Sequence, residues 1–232
     1  MLGIIIEADS NNAGGLSSLF YKFGTRTALE RIIASCVRCD HAHKVILAMP
    51  ANDKGPVLGT VFQSKLLETG ALEHMGRAAE YFFYGRLEER LIRLYRAALK
   101  ANLTDVVCVN ALDLLIQPWF LSAVIELYYN AGAKNCVWTG PPEFDEGFGV
   151  EAFPFYQLAS ANIGCDDQNG LRAFLDDRFG AIALKNTESL FIPKTSRSFK
   201  FEAISQIPIL ARMLAELELG ADVASLMGDF DE

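Results

Sequence analysis

The chain has 232 residues, 51% of them hydrophobic and 22% charged, with a formal net charge of −8. That length and apolar content support a substantial core, in one large α/β domain or a domain with a small appendage, and exclude a disordered chain. The acidic balance excludes a broad nucleic-acid surface and repels polyphosphates wherever cations are not locally concentrated.

The first predicted element is an apolar strand, Leu2 to Ile6, running straight into the polar turn Glu7-Ala8-Asp9-Ser10-Asn11-Asn12-Ala13-Gly14-Gly15. A strand, a glycine-bearing turn and a helix form the shape in which α/β proteins seat a nucleotide's phosphates, because backbone N–H groups there point at the anion. No Lys or Arg occurs before Lys22, so this cradle has the shape without the cations. Leu29, Ile32, Ile33 and Cys36 then keep one helical stripe, and Leu58, Val61, Phe62 and Leu66 keep another that ends at Gly70. Leu87, Leu91, Leu94 and Ala98 form the clearest stripe of the chain. Pro118 stands where a first-turn proline belongs, ahead of Phe120, Val124, Leu127 and Ala131. Pro154 and Pro208 read the same way, the latter opening a helix with Leu210, Met213, Leu214 and Leu217.

Strands are further expected at 44–49, 81–84, 105–110 and 134–138, with shorter apolar runs at 148–153 and 189–192. Strands alternating with helical stripes predict a three-layer α/β/α architecture with a mainly parallel sheet. From about Glu143 the alternation gives way to Pro, Gly and acidic loops. Residues 1–175 are accordingly read as the α/β domain, and 176–232 as a C-terminal extension of it that caps the domain or forms a dimer contact.

No stretch approaches the ~20 consecutive apolar residues of a membrane span. The first residues carry no basic segment and no cleavage-site pattern, so the expected compartment is the cytoplasm. The odd set Cys36, Cys39, Cys108, Cys136 and Cys165 fits reduced thiols acting as small core residues better than a disulfide framework. Cys36-x-x-Cys39 followed by His41 and His43 has donors suited to zinc, yet Cys36 lies on an apolar stripe and there is no second Cys-x-x-Cys. The dinucleotide glycine signature and the phosphate-loop lysine motif are both absent.

Four blocks in order resemble the cytidylyltransferases that activate sugar acids as CMP derivatives, most closely their spore-coat polysaccharide branch. They are Phe23-Gly24-Thr25-Arg26-Thr27-Ala28-Leu29-Glu30-Arg31-Ile32-Ile33, then Gly85 to Ala98 with Gly85, Glu89, Leu91 and Arg93 in the family's spacing. Val106 to Pro118 is similar to the central strand and following turn, and Glu146 to Phe153 to a glycine-led strand that keeps Gly147, Val150, Glu151 and Phe153. The resemblance implies a fold of the nucleotide-diphospho-sugar transferase type. It also implies CTP and a sugar acid as substrates, Mg²⁺ as cofactor, and a homodimer or a paralogous partner subunit. It places Asn11, Asn12, Gly14 and Gly15 near phosphates, Arg93 near the nucleotide, and Asp113 and Glu151 near metal.

The same resemblance marks where this chain departs from its relatives. The family's two phosphate-loop arginines and its lysine fall on Asp9, Gly14 and Ser18. Its metal aspartate falls on Leu112, one place before Asp113; its strand arginine falls on Cys108, and a later aspartate on Gly149. Three lost charge-assisted contacts amount to about 5–9 kcal/mol if they simply add. The expectation is therefore a degenerate site with reduced transferase activity, or a non-catalytic nucleotide-sugar binding module on the same scaffold. Glu146 is an alternative second carboxylate, and Lys194 to Lys200 could return positive charge to the cleft.

Overall fold

A computed structural model of the chain describes residues 1–8, 16–54, 79–86, 89–164, 170–185, 192, 199, 201, 206–218, 223 and 226. The described elements begin with β1 (Leu2–Glu7), α1 (Leu16–Leu19), the hairpin strands β2 (Lys22–Phe23) and β3 (Arg26–Thr27), α2 (Ala28–Val37), β4 (Lys44–Met49) and β5 (Ala79–Phe83). They continue with α3 (Arg90–Lys100), β6 (Asp105–Asn110), α4 (Pro118–Asn130), β7 (Val137–Trp138), β8 (Val150–Pro154), α5 (Phe155–Gly164), α6 (Leu171–Phe179), β9 (Ile182–Ala183) and α7 (Ile207–Glu218).

Seven strands form one sheet in the order β5-β4-β1-β6-β8-β7-β9. β1 pairs parallel with β4 and β6, β4 with β5, and β7 with β9, while β8 runs antiparallel to both its neighbours. Side chains alternate across each strand, so a wholly apolar strand must feed two cores. Ile4 and Ile6 pack with α2, α4 and α7 on one face, and Ile5 packs with α3, α5 and α6 on the other. Fully burying each such isoleucine contributes roughly 1.5–3 kcal/mol. Gly3 is required by this packing, since a Cβ there would lie 2.6 Å from both methyls of Leu103.

The sequence stripes at Leu29, Ile32, Ile33 and Cys36 and at Leu91, Leu94 and Ala98 are the buried faces of α2 and α3, while Leu87, read as part of the second stripe, lies outside the described residues. α2 starts at a capping box in which the Thr27 hydroxyl accepts from the Glu30 N–H and the Glu30 carboxylate accepts from the Thr27 N–H. Pro118 is the first residue of α4, and Pro208 is the second of α7. Pro154, read as a first-turn proline, instead ends β8, and α5 begins with the next residue. The expected strand at 134–138 shrinks to Val137–Trp138. The helix stripe at 58–66 and all of the run at 189–192 except Ile192 lie outside the described residues. Cys36, Cys39, Cys108 and Cys136 are buried free thiols. Among the described residues, no helix is long and apolar enough to cross a membrane.

Candidate functional site

From β1 the chain runs outward to β4 and β5, then crosses back over α3 to β6 on the opposite flank of β1. The C-terminal ends of β1 and β6 therefore meet at a switch point, the place where open α/β sheets leave a crevice. A cleft of about 230 Å³ opens there, and its lining includes Glu7 at the end of β1, Asn110 at the end of β6 and Asp113 in the turn beyond. Asn110 shapes that turn, since its side-chain oxygen accepts from the Leu112 N–H at 2.9 Å, as asparagine does in such turns. Across the cleft, Thr139 braces the glycine-rich loop: its hydroxyl donates to the Phe148 carbonyl at 2.5 Å and accepts from the Val150 N–H at 2.9 Å.

Two guanidiniums enter the cleft, and each meets a carboxylate. Arg90, in the first turn of α3, donates from Nε and Nη2 to the two oxygens of Glu7 at 2.5 and 2.7 Å. The Glu7 carboxylate is the main reason that the Arg90 pKa is raised above its ordinary value. Arg172, from α6, donates from Nε and Nη2 to Glu151 Oε1 at 3.0 and 2.9 Å, and its guanidinium stacks 4.2 Å from the centre of the Trp138 ring. This second pair also borders an adjoining, roomier cleft of about 580 Å³ that runs past Trp138 toward Leu171 and Ala181.

The charge of the first cleft follows from a count of its described lining: among the described residues, Glu7, Asp113, Asp145, Glu146 and Glu151 stand against Arg90 and Arg172. Cys108 lies on its floor, with its thiol pushed well above the usual range by burial and then by Glu7 and Glu151. Arg90, which lines the same cleft from α3, works in the opposite direction. Gly149 faces Asp113: a Cβ on it would lie 3.3 Å from Asp113 Oδ2. Gly149, where the chain departs from the resembled pattern, thus packs tightly against Asp113, the carboxylate one place after the position of the family's metal aspartate.

Of the residues singled out from sequence, Asp113 and Glu151 line one cleft together with Glu146. Arg93 lies elsewhere, buried on α3, where its Nη1 donates to the Arg86 carbonyl at 2.9 Å and holds the turn before the helix. Gly85 starts that turn with a φ of +68°. Asn11, Asn12, Gly14 and Gly15 lie outside the described residues, as does most of Lys194 to Lys200. Glu7, Arg90 and Arg172 were not anticipated. A signal existed for the first two: Glu7 ends an otherwise apolar strand, and Arg90 puts a cation at a helix N-terminus, where the dipole disfavours it without an anionic partner. Nothing in the local sequence marks Arg172.

Asp113 and Glu151 line the cleft and offer carboxylate oxygens, the donors that suit Mg²⁺. Among the described residues, no group of three His, Cys, Asp or Glu side chains is arranged to hold a metal ion. Two carboxylates on one cleft are a donor set that would fit a cation whose other ligands are phosphate oxygens.

No protein-family model and no curated protein sequence matches the chain. Solved structures do. A cytidylyltransferase from Leptospira borgpetersenii serovar Hardjo-bovis (strain JB197) superposes with a TM-score of 0.75 at 15% identity, covering 93% of this chain and 87% of that one. A CMP:2-keto-3-deoxy-manno-octonic acid synthetase complexed with CTP gives 0.61 at 7% identity, over 93% and 99% of the two chains. The 4-diphosphocytidyl-2C-methyl-D-erythritol synthase of Anaerococcus prevotii DSM 20548 gives 0.60 at 14% identity, over 93% and 98%. The fold is thus an α/β nucleotidyltransferase type, a mostly parallel seven-stranded sheet flanked by helices.

Proposed function

We propose that this chain is a cytidylyltransferase-like protein of glycan precursor synthesis that takes a cytidine nucleotide and a sugar acid at the β1/β6 cleft, with transferase turnover strongly reduced. The observation that carries this reading is the charge of the cleft: among its described lining residues five carboxylates face two guanidiniums, and each of these guanidiniums is already bound to a carboxylate. Transfer of a cytidylyl group requires attack by the sugar-acid oxygen at the α-phosphorus with departure of pyrophosphate, so negative charge must be neutralised as it shifts. When bound, Mg²⁺ would supply that neutralisation between phosphate oxygens, with Asp113 and Glu151 as its protein ligands.

The chain's own residues do the rest. The backbone of Asn11, Asn12, Gly14 and Gly15 would seat phosphates through N–H groups alone. Arg90 and Arg172 must be drawn from Glu7 and Glu151 before either can meet a phosphate, which lowers both affinity and rate. Arg93 contributes indirectly, by fixing the turn that sets the position of Arg90.

The same carboxylate excess favours a second reading, in which the scaffold serves as a non-catalytic partner of an active paralogue. Pyrophosphate release from CTP with a panel of sugar acids, measured beside calorimetric titration of CTP with Mg²⁺, separates these outcomes. CTP binding with slow release supports the first reading, and binding without release supports the second. Turnover at the ordinary enzymatic rate of about 10 s⁻¹ refutes the impaired site. Failure to bind CTP refutes the nucleotide assignment.

A further inference from the structure

A second concave site lies between α2, the turn that leads into α4, and α7, and its described lining carries the reverse charge of the first. Its cavity, about 290 Å³, is lined by Arg26, Arg31, Arg38, Ser35 and Gln117, with Leu214 and Leu217 of α7 on one wall. No carboxylate is among the described lining residues. Three arginines in one small cavity, in a chain of net charge −8, are not the scatter of a solvated surface.

The sequence places them deliberately. Arg31, Ala34, Ser35 and Arg38 follow the i, i+3, i+4, i+7 spacing that puts residues on one helical face, and Arg26 joins them from β3 just ahead of the helix. The opposite face of α2 is the core stripe of Leu29, Ile32, Ile33 and Cys36. Arg31 is only 9% exposed, and its Nη2 donates to the Phe23 carbonyl at 2.5 Å, so one guanidinium is fixed in the cavity. Arg38 is exposed and Arg26 half-buried, and both line the cavity mouth with it.

From this geometry we infer that the α2/α4/α7 cavity is a binding site for a small phosphate monoester. Guanidinium forks match phosphate oxygens two at a time. A dianion suits several arginines, the Ser35 hydroxyl and the Gln117 amide add neutral hydrogen-bonding partners, and the leucine wall receives the uncharged body of the ester. A volume near 300 Å³ is at the small end of metabolite pockets. The inference is independent of the transferase reading, because the two clefts share no lining residue.

The test is calorimetry on the full chain at low salt with glycerol 3-phosphate, inorganic phosphate and citrate, for the wild type and for Arg38→Gln, Arg26→Gln and Arg172→Gln. Arg31 is left intact because it is built into the fold, and unliganded thermal midpoints show that each variant is folded. Glycerol 3-phosphate should bind one to one and more tightly than inorganic phosphate. Loss of either mouth arginine should weaken it about tenfold, the effect of one charge-assisted contact. Arg172→Gln should leave it unchanged. The inference fails if no phosphate compound binds, if citrate binds best, if inorganic phosphate binds as tightly as the ester, or if Arg172→Gln and not the α2 variants abolishes binding.

Discussion

Replacing Glu7 by glutamine should tighten CTP binding, although it removes an ion pair. In the wild type the Glu7 carboxylate holds Arg90 through two charge-assisted hydrogen bonds, at 2.5 and 2.7 Å, and its side chain is only 15% exposed. A phosphate that enters the cleft has to compete for that guanidinium and also approach the carboxylate. Glutamine keeps the shape and one neutral hydrogen bond but removes both the competitor and one negative charge. A charge-assisted contact made available to a phosphate is worth roughly 1.5–3 kcal/mol, so the dissociation constant should fall by about 10- to 100-fold. Stability should suffer little, since the Arg90 side chain is 40% exposed and can turn to water; a loss near 1 kcal/mol lowers the melting midpoint by about 2–4 °C. Titration calorimetry with CTP and Mg²⁺ measures the first quantity and thermal melting the second. Unchanged or weaker CTP binding by a folded Glu7→Gln protein would refute the argument that intramolecular pairing limits the site.

Gly149→Val should cost about 1–3 kcal/mol and reduce Mg²⁺-dependent CTP affinity, because even its Cβ would sit 3.3 Å from Asp113 Oδ2; chemical denaturation and titration together report both losses. Thr27→Ala removes the hydroxyl that accepts from the Glu30 N–H and should destabilise by about 1 kcal/mol, read from urea midpoints at unchanged slope. Stability should also fall in alkali. Cys36, Cys39, Cys108 and Cys136 all have thiols raised above 9.0, first of all by burial, so above that pH the unfolded chain loses protons that the folded chain retains. Their contribution is intact below about pH 9 and declines by up to ~1.4 kcal/mol per pH unit per thiol above it, with no corresponding loss on acidification; urea melts from pH 7 to 11 would show the trend.

The parts of the fold legible in the sequence are those whose signal is local. β1, β4, α2, α3 and α4 announce themselves by apolar runs, by a 3.6-residue period or by Pro118, because each buries a face whose pattern repeats within one element. The antiparallel insertion of β8 between β6 and β7 is not visible that way, since strand order is a long-range choice and all three strands share the same apolar character. β9 is a two-residue exposed strand, too short to carry a pattern. The site divides along the same line. Asp113 and Glu151 could be found by their place in a recognisable block, whereas the Glu7 and Arg90 contact joins residues 83 apart and the Glu151 and Arg172 contact joins two elements with no shared periodicity. Pairings of that kind exist only once the sheet has assembled.

The position of β1 in the middle of the sheet also governs how the protein is made. β1 leaves the ribosome before both of the strands that flank it, β4 and β6, which end at Met49 and Asn110. Until Asn110 has emerged, a continuous aliphatic ribbon, Leu2 to Ile6, has at least one edge open to any other nascent chain. Truncations that stop short of β6 should therefore be insoluble, and the protein's yield in cells should depend on holdase chaperones acting early in translation more than on its final stability.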